Sequence, residues 1–262
     1  MSLPFLSRKK AEFGVGIASM EDRYFQTNII DFSETKHDKS TYSIFGGSIV
    51  LEGSTLNARQ FATQGSREKM AAQIFTGTEH FRSGASKVTK DTPEPYKKVQ
   101  SWLQVSYQNE TYHKVSPKFT LGAYLEAYYS SRNFSNNYTA TLMQAGEFTP
   151  TAHSKVTYNE AFRANQYAGV GAMPIYQLSE SFQLRGEFYG FVPIFPIKKD
   201  EYGQAYYGKA FTKFEYLGEI SLVFQLSFGS ISAYVNHYSS PSNDWNVGLT
   251  LGWQLFNSRF IE

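Results

Sequence analysis

The chain has 262 residues, with 25 Lys and Arg against 23 Asp and Glu, 17% aromatic residues and no Cys. This length allows one domain or two small ones, and the balanced charge excludes the basic field expected of a nucleic-acid-binding protein. The missing cysteines exclude disulfides, thiol nucleophiles and Cys-ligated zinc, and no apolar run approaches the roughly 18 residues that a spanning helix needs.

The amino-terminal residues 1–10 place their charges after a very short apolar stretch, which is the reverse of a secretory signal. We therefore expect either that export was already complete for the chain as given, or that the chain is a piece of a longer protein. Further along, apolar residues recur at every second position, the period of a strand with one apolar and one polar face. The pattern predicts about ten strands, near 11–20, 41–53, 66–77, 99–108, 119–129, 164–174, 182–192, 213–226, 230–238 and 245–255.

Good helix formers between residues 66 and 73 leave a helix open at that point. Elsewhere, alternation alone fits a soluble antiparallel sandwich as well as a membrane barrel. The predicted strands are about 10–13 residues long, as tilted membrane crossings are, whereas soluble strands average about 5–6 residues. The five clearest strands carry no Lys, Arg, Asp or Glu on the apolar phase. This absence of charge is expected of rows of side chains that face lipid. Both features favour the barrel.

The predicted connections alternate in length, as the external loops and periplasmic turns of outer-membrane barrels do. Long ones are 21–40, 79–97, 131–163 and 193–210, and short ones are 109–117, 175–179 and 227–229. The sequence therefore predicts an all-β fold, an antiparallel transmembrane β-barrel in a bacterial outer membrane, with 1–262 as a single domain.

Residues 54–65 resemble a hairpin that leads into a barrel strand, and residues 162–167, Phe-Arg-Ala-Asn-Gln-Tyr, resemble a degenerate Val-Arg-Gly-Phe/Tyr motif. With a third stretch at the carboxyl end, they resemble the BamA-like bacterial surface antigen superfamily. The run from Thr55 to the carboxyl end is similar to the C-terminal barrel of patatin-like phospholipases from Bacteroidetes. The third stretch fits the polar-x-Gly-x-x-apolar-x-aromatic signal read by the barrel assembly machinery, with Asn246, Gly248, Leu251 and Trp253.

This resemblance implies the last ten strands of a sixteen-stranded barrel that follows a patatin-like lipase domain and a small periplasmic domain. The chain would then anchor the lipase domain in the outer membrane, with help in translocating that domain as a further role left open. Loop 131–163 falls where the superfamily places a loop folded into the lumen. The motif departs from the family pattern, because Ala164 stands where Gly is usual and Tyr167 comes two residues late.

A patatin active site needs a Gly-x-Ser-x-Gly turn for its nucleophile and an Asp-Gly partner, and neither motif occurs in the chain. We therefore expect no catalytic residue, no cofactor and no metal site. Without metal-ligand spacing, the histidines are expected to be solvated; they are His37, His80, His113, His153 and His237.

Charged residues of the polar phase are predicted to share one interior, a hydrated lumen in the simplest case: Glu126, Arg185, Glu187, Lys213, Glu215 and Glu219. If loop 131–163 folds inward, the Arg163 guanidinium needs a carboxylate, because an unpaired charge in a restricted interior is costly and a planar fork suits a bidentate acid. We expect Glu187 as its first partner, then Glu215 and Glu126, with Tyr167 at the loop's end. Such an ion pair would pin the loop and plug the lumen.

The expected partners are outer-membrane lipids, lipopolysaccharide and the barrel assembly machinery, with a homodimer left open and no nucleic acid. Loop lysines predicted either to contact anionic lipopolysaccharide or to stay solvated are Lys87, Lys90, Lys97, Lys98, Lys198 and Lys199. Two alternatives stay open. A self-contained small porin or barrel enzyme would pair its own first and last strands, whereas a fragment of a larger barrel would leave the strand near 11–20 unpaired on one side. A soluble β-sandwich binding module would dissolve without detergent.

Overall fold

A computed structural model describes residues 2–6, 9–25, 37–84, 95–240 and 245–253. The strands are β1 (Ser2–Leu6), β2 (Lys9–Tyr24), β3 (Asp38–Ser54), β4 (Gly65–Arg82), β5 (Tyr96–Ser116), β6 (Phe119–Ser130), β7 (Gly146–Glu147), β8 (Arg163–Ala164), β9 (Gln166–Gln177), β10 (Phe182–Pro193), β11 (Ile197–Lys199), β12 (Ala205–Tyr207), β13 (Glu215–Leu226), β14 (Gly229–Tyr238) and β15 (Trp245–Trp253). The helical elements are α1 (Tyr138–Gln144) and two 3-10 turns, Ser154–Val156 and Glu160–Phe162. Within the described ranges, no helix has the length and apolar character needed to cross a membrane.

Eleven strands form one antiparallel sheet in the order β1-β2-β3-β4-β5-β6-β9-β10-β13-β14-β15. Two small ladders, β7 with β8 and β11 with β12, lie within the connections after β6 and β10. The predicted all-β antiparallel fold is therefore confirmed, with ten strands of 9 to 21 residues and the five-residue β1. Among the described residues the sheet is open, because β1 and β15 do not pair with each other.

The early strands run further than the alternation predicted. β2 and β3 extend into the predicted loop 21–40, and β4 and β5 extend into the predicted loop 79–97. The strand ends are polar, so the apolar period fades there, but pairing and alternate burial continue, with Glu79 and Phe81 buried on β4. The alternation therefore located these strands and misjudged their ends.

Residues 66–73, where the sequence also allows a helix, lie in β4 and pair with both neighbouring strands. Cross-strand pairing overrides intrinsic helix propensity at this position. Residues 254–255 of the last predicted strand lie outside the described residues.

The two faces of the sheet differ in polarity and in exposure. On β6, Leu121, Ala123 and Leu125 are exposed, while Gly122 and Tyr124 between them are buried. Similar alternation follows β9, β10, β13 and β14. We call the exposed apolar face the outward face and the opposite face the inward face.

The two ends of the sheet differ in their connections. Residues 131–165 and 194–214 join strands at one end, which we call the long-loop end. At the other end, the short-turn end, residues 117–118 and 227–228 suffice. The predicted alternation of long and short connections is confirmed for these described segments. The bounds of the predicted short connection 109–117 are wrong, because β5 continues to Ser116 and pairs with β6 there.

Candidate functional site

Residues 131–165, the long loop, fold over the inward face of the sheet. Its helix α1 begins after Asn137, whose side-chain oxygen accepts a hydrogen bond of 2.8 Å from the Ala140 amide, as N-cap residues do. Further along, Phe148 and Phe162 are buried among aromatic side chains of β6, β9, β10 and β14. Burial of these rings removes apolar surface from water and stabilises the inward position of the loop.

One glycine of β9 makes room for this packing. A Cβ atom at Gly169 would lie 2.1 Å from Cε2 of Phe148, far inside van der Waals contact. The loop can therefore approach the sheet this closely only because residue 169 has no side chain.

The long loop is tied to strands at both sides of the sheet. The side-chain amide of Asn137 donates to the Tyr24 hydroxyl (3.0 Å), and that of Gln144 donates to Asp22 Oδ2 (2.6 Å), both on β2. At the opposite side, His153 contacts β13 and β15. Because β2 and β15 are far apart in the strand order, the sheet must curve around the loop.

His153 is buried, which corrects the expectation that it is a solvated loop residue. Its Nδ1 lies 2.8 Å from Glu219 Oε1, its Nε2 lies 2.6 Å from Thr250 Oγ1, and its ring stacks on Tyr234 with 3.4 Å between centroids. Glu219 is 66 residues and Thr250 97 residues further along the chain. No local spacing marks this histidine, so sequence reasoning missed it.

The order of hydroxyl, imidazole and carboxylate in this trio is the one that acyl-transfer enzymes use. Such chemistry also needs donors aimed at the developing oxyanion. Thr250 lies within β15, where backbone N–H groups point along the plane of the sheet and not toward the inward face. We therefore interpret the trio as a tie between the long loop and the sheet.

Arg163 lies in the loop's own β7–β8 ladder and pairs with an acid of that ladder. Its Nη2 lies 2.6 Å from Glu147 Oε2, and the two residues are direct register partners. Its Nη1 donates to the carbonyl groups that end α1, at 3.2 Å to Leu142 and 3.2 Å to Met143. The guanidinium also stacks over the Tyr158 ring at 4.5 Å. The predicted partners Glu187, Glu215 and Glu126 are therefore wrong, because a closer acid on the paired strand satisfies the charge.

The three predicted acids lie inward, and each has another partner. Glu187 accepts from Arg185 Nε (3.1 Å) and from the Tyr189 hydroxyl (2.9 Å). Glu215 lies 3.4 Å from the Lys213 ammonium group and accepts from Ser239.

Glu126 and Tyr167 are brought together as members of one inward cluster. Oε1 of Glu126 lies 2.7 Å from the Tyr167 hydroxyl, which is also 3.0 Å from the Glu147 carbonyl oxygen. Tyr124 donates to the other Glu126 oxygen. The two residues proposed from the sequence therefore meet, but they do so through a tyrosine hydroxyl and not through Arg163.

Arg185 is the centre of a second tie, at the short-turn end. Only 2% of this residue is exposed. Its Nη1 donates to the Ala62 carbonyl (2.9 Å), while its Nε donates to Glu187. Ala62 belongs to the connection between β3 and β4, residues 55–64, which we call the short-end loop. This loop therefore covers the inward face from the end opposite the long loop.

The short-end loop contains a residue in a strained backbone conformation. Phe61 has a φ of 52°, a region that bulky residues rarely adopt. Its carbonyl oxygen accepts from the side-chain amides of Gln183 (3.4 Å) and Gln225 (3.1 Å). These contacts with β10 and β13 offset the strain and hold the loop across the sheet.

Arg132, at the start of the long loop, is buried against the early strands. Its guanidinium lies 4.6 Å from the Trp102 ring centroid and 5.3 Å from that of Tyr42. Burial lowers the pKa of this guanidinium from its usual value, since desolvation disfavours the charged form. The aromatic faces compensate in part through cation–π attraction.

The residues of the predicted assembly signal lie on β15, the last strand of the sheet. The Asn246 amide donates to Asn236 Oδ1 (3.2 Å), and a Cβ atom at Gly248 would lie 2.4 Å from the Tyr234 hydroxyl oxygen. Leu251 and Trp253 are exposed on the outward face. Recognition by an assembly machinery stays a prediction.

The predicted loop lysines fall into different surroundings. Lys97 points outward from β5, whereas Lys98 points inward and donates to the Phe134 carbonyl at 2.9 Å. Lys198 is exposed on β11. Lys87 and Lys90 lie outside the described residues.

Across the described parts of the chain, no group of three or more His, Asp or Glu side chains could hold a metal ion. No protein-family model and no curated protein sequence matches this chain. The resemblance to patatin-like phospholipase barrels therefore stays a prediction.

Proposed function

We propose that this chain is a non-catalytic region of an outer-membrane β-barrel that anchors a patatin-like lipid acyl hydrolase domain, with translocation of that domain as a further role. The observation that carries the membrane location is the exposure of the outward rows, where Ile17 is 85% and Leu249 is 81% exposed. Apolar surface costs about 25 cal/mol per Å² in water, whereas lipid tails accept it. A soluble sandwich would turn such rows toward each other.

Charge on the outward face is confined to the strand ends, which supports the same location. The outward positions of β13, from Tyr216 to Leu226, contain no Lys, Arg, Asp or Glu. On β4, the outward residues of these types are Glu68 and Arg82, near its two ends. A basic residue facing lipid at mid-depth would cost about 2–4 kcal/mol, so an uncharged middle band suits a membrane crossing.

The covered inward face supports anchoring over conduction. The long loop and the short-end loop occupy that face from opposite ends, and the ties at His153 and Arg185 hold them there. A porin would keep a water-filled passage along this face. An inward face that two loops cover from opposite ends suits a membrane anchor instead.

The edges of the sheet support membership in a larger barrel. β2 pairs with β1 only over Lys9–Glu12, and β15 has no second neighbour among the described strands. Unpaired backbone groups are costly in lipid, where no water replaces the missing partner. The proposal therefore includes further strands on both edges, as a sixteen-stranded barrel would provide.

Tryptophan fluorescence tests the membrane location. Trp245 and Trp253 point outward, and Trp102 is buried on the inward face. In variants of the complete barrel that keep a single one of these Trp residues, refolded into vesicles, we expect lipids brominated on their acyl chains to quench Trp245 and Trp253 more than Trp102. Heat-modifiable migration on a detergent gel is the companion measurement. Equal quenching of all three, or a protein that dissolves without detergent, would overturn the proposal.

The lipase-anchoring part depends on the resemblance of the run from Thr55 and is tested separately. The reading frame upstream of Met1 should encode a Gly-x-Ser-x-Gly turn and an Asp-Gly partner. A reading frame without these two motifs would remove the lipase domain from the proposal. The membrane location would still be tested by the fluorescence measurement.

A further inference from the structure

A basic cleft lies on the outward face at the long-loop end. It has a volume of about 520 Å³, and its lining includes Lys39, Thr41, His80, Arg82 and Lys97. These residues come from β3, β4 and β5, where Lys39 faces Arg82 and His80 lies between Thr41 and Lys97 in register. Three neighbouring strands therefore gather their basic side chains at one place.

The cleft holds more positive than negative charge. The basic row continues onto β2, where Arg23 lies directly opposite Lys39. Glu21 is shared between these two, at 2.7 Å from Arg23 and 2.6 Å from Lys39. In the part of the chain that the structure describes, no carboxylate forms an ion pair with Arg82 or Lys97. Like charges on opposed strand positions destabilise a sheet, so an anion in the cleft would stabilise it.

The short-turn end of the same strands shows no such excess. There, Lys9 of β2 and Glu68 of β4 lie on the outward face and pair at 3.7 Å. The basic excess is therefore particular to the long-loop end and is not a general property of the strand ends.

We propose that this cleft binds the phosphate group of an outer-leaflet lipid, an inference that rests on the proposed membrane location. Further from the long-loop end, the outward face next to the cleft is apolar, with Phe45, Ile74 and Val99 exposed on the same three strands. A lipid whose tails lie on these side chains would bring its phosphate to the level of Arg82 and Lys97. A guanidinium, an ammonium group and the Thr41 hydroxyl all donate to phosphate oxygens, and basic groups at a membrane surface attract anionic lipid.

Binding of lipid A to the refolded protein in neutral detergent, measured by native mass spectrometry, tests the inference. We expect the variant Arg82→Gln/Lys97→Gln to bind bis-phosphorylated lipid A about 30-fold more weakly than the parent, since each basic group near a membrane surface contributes about fivefold. The matched control is Lys114→Gln/Lys118→Gln, which removes the same charge from exposed positions at the short-turn end. We expect the control to bind as the parent does, and phosphate-free lipid A to bind all three proteins equally.

Each other outcome counts against the inference. Equal affinity of the parent and Arg82→Gln/Lys97→Gln, or of the phosphorylated and phosphate-free lipid, overturns it, while tryptophan quenching still decides the membrane location by itself. Displacement of lipid A by inorganic phosphate alone would assign the cleft to free phosphate and overturn the lipid. Heat-modifiability checks that each variant folds. If the double variant fails to refold, the single variant Lys97→Gln replaces it, because Lys97 is exposed. We expect this variant to bind lipid A about fivefold more weakly than the parent.

Discussion

β2 and β10 follow the same alternation, but their inward faces are in opposite states. Outward, both strands expose apolar side chains, such as Ile17 and Phe188. Inward, Arg185 and its neighbours on β10 are buried, whereas Gly16 and Ala18 on β2 are exposed. The loops explain the difference. Both loops cover β10, whereas on β2 the long loop contacts the strand end near Tyr24. Inward burial therefore depends on loop coverage and not on the strand pattern.

The largest effect is expected where the cover is complete. In the variant Arg185→Leu, Glu187 stays buried without its guanidinium and the Ala62 carbonyl loses its donor. Removing one partner of a buried ion pair costs about 3–5 kcal/mol, which urea unfolding in vesicles would measure. Arg23→Leu, at an exposed pair on β2, is the matched control and should leave stability close to that of the parent. Equal losses at both sites would contradict the role of the cover.

The outward faces, in contrast, should respond alike. Ile17 and Ile220 lie near the middle of β2 and β13 on the outward face. We expect Ile17→Arg and Ile220→Arg each to lower the free energy of unfolding in vesicles by about 2–4 kcal/mol, because in the proposed membrane location each would place a charge in lipid. Tyr216→Arg, near the end of β13, should cost about 0–1 kcal/mol. Changes within about 0.5 kcal/mol at all three positions would indicate a water-exposed face.

The tie at His153 should matter for the covered strands alone. In His153→Leu, Glu219 and Thr250 lose a buried hydrogen-bond partner, and a hydrogen bond to a charged group contributes about 1.5–3 kcal/mol. We expect that loss of stability, with faster hydrogen exchange in the long loop. His113→Leu, at an exposed position on β5, should change neither measurement. Unchanged exchange in His153→Leu would show that the loop is held by other contacts.

The smallest difference concerns two glycines of the inward face. A Cβ atom at Gly169 meets the Phe148 ring at 2.1 Å, whereas a Cβ atom at Gly16 meets nothing within 4 Å. We expect Gly169→Ala to destabilise the protein by about 1–3 kcal/mol through overpacking. Gly16→Ala should be neutral or slightly stabilising, because it removes backbone freedom from the unfolded chain. Thermal unfolding of both variants measures the contrast. Equal unfolding midpoints would show that the Phe148 ring moves aside without a loss of stability.

Several inward contacts had a signal in the sequence, and others had none. Glu126 and Tyr167 are both predicted to lie at the inward site, because the period of the strand assigns Glu126 to the polar phase and the resemblance to the superfamily motif marks Tyr167. The predicted partners of Arg163 are wrong, because Glu147 lies in a loop without a hydrophobic period, where no pattern shows which residues face each other. The burial of His153 is not predicted for the same reason, because this residue lies in the same loop.

The period of two by itself located the ten long strands and determined the two faces and the outward apolar rows, since successive side chains on a strand must point to opposite sides. Only the tertiary structure decided what covers the inward face. Ser230 donates to Gln60, 170 residues away in the chain, and Arg185 donates to Ala62, 123 residues away. Such pairs form because a curved sheet brings distant strands and loops together, and that curvature is a property of all the strands at once.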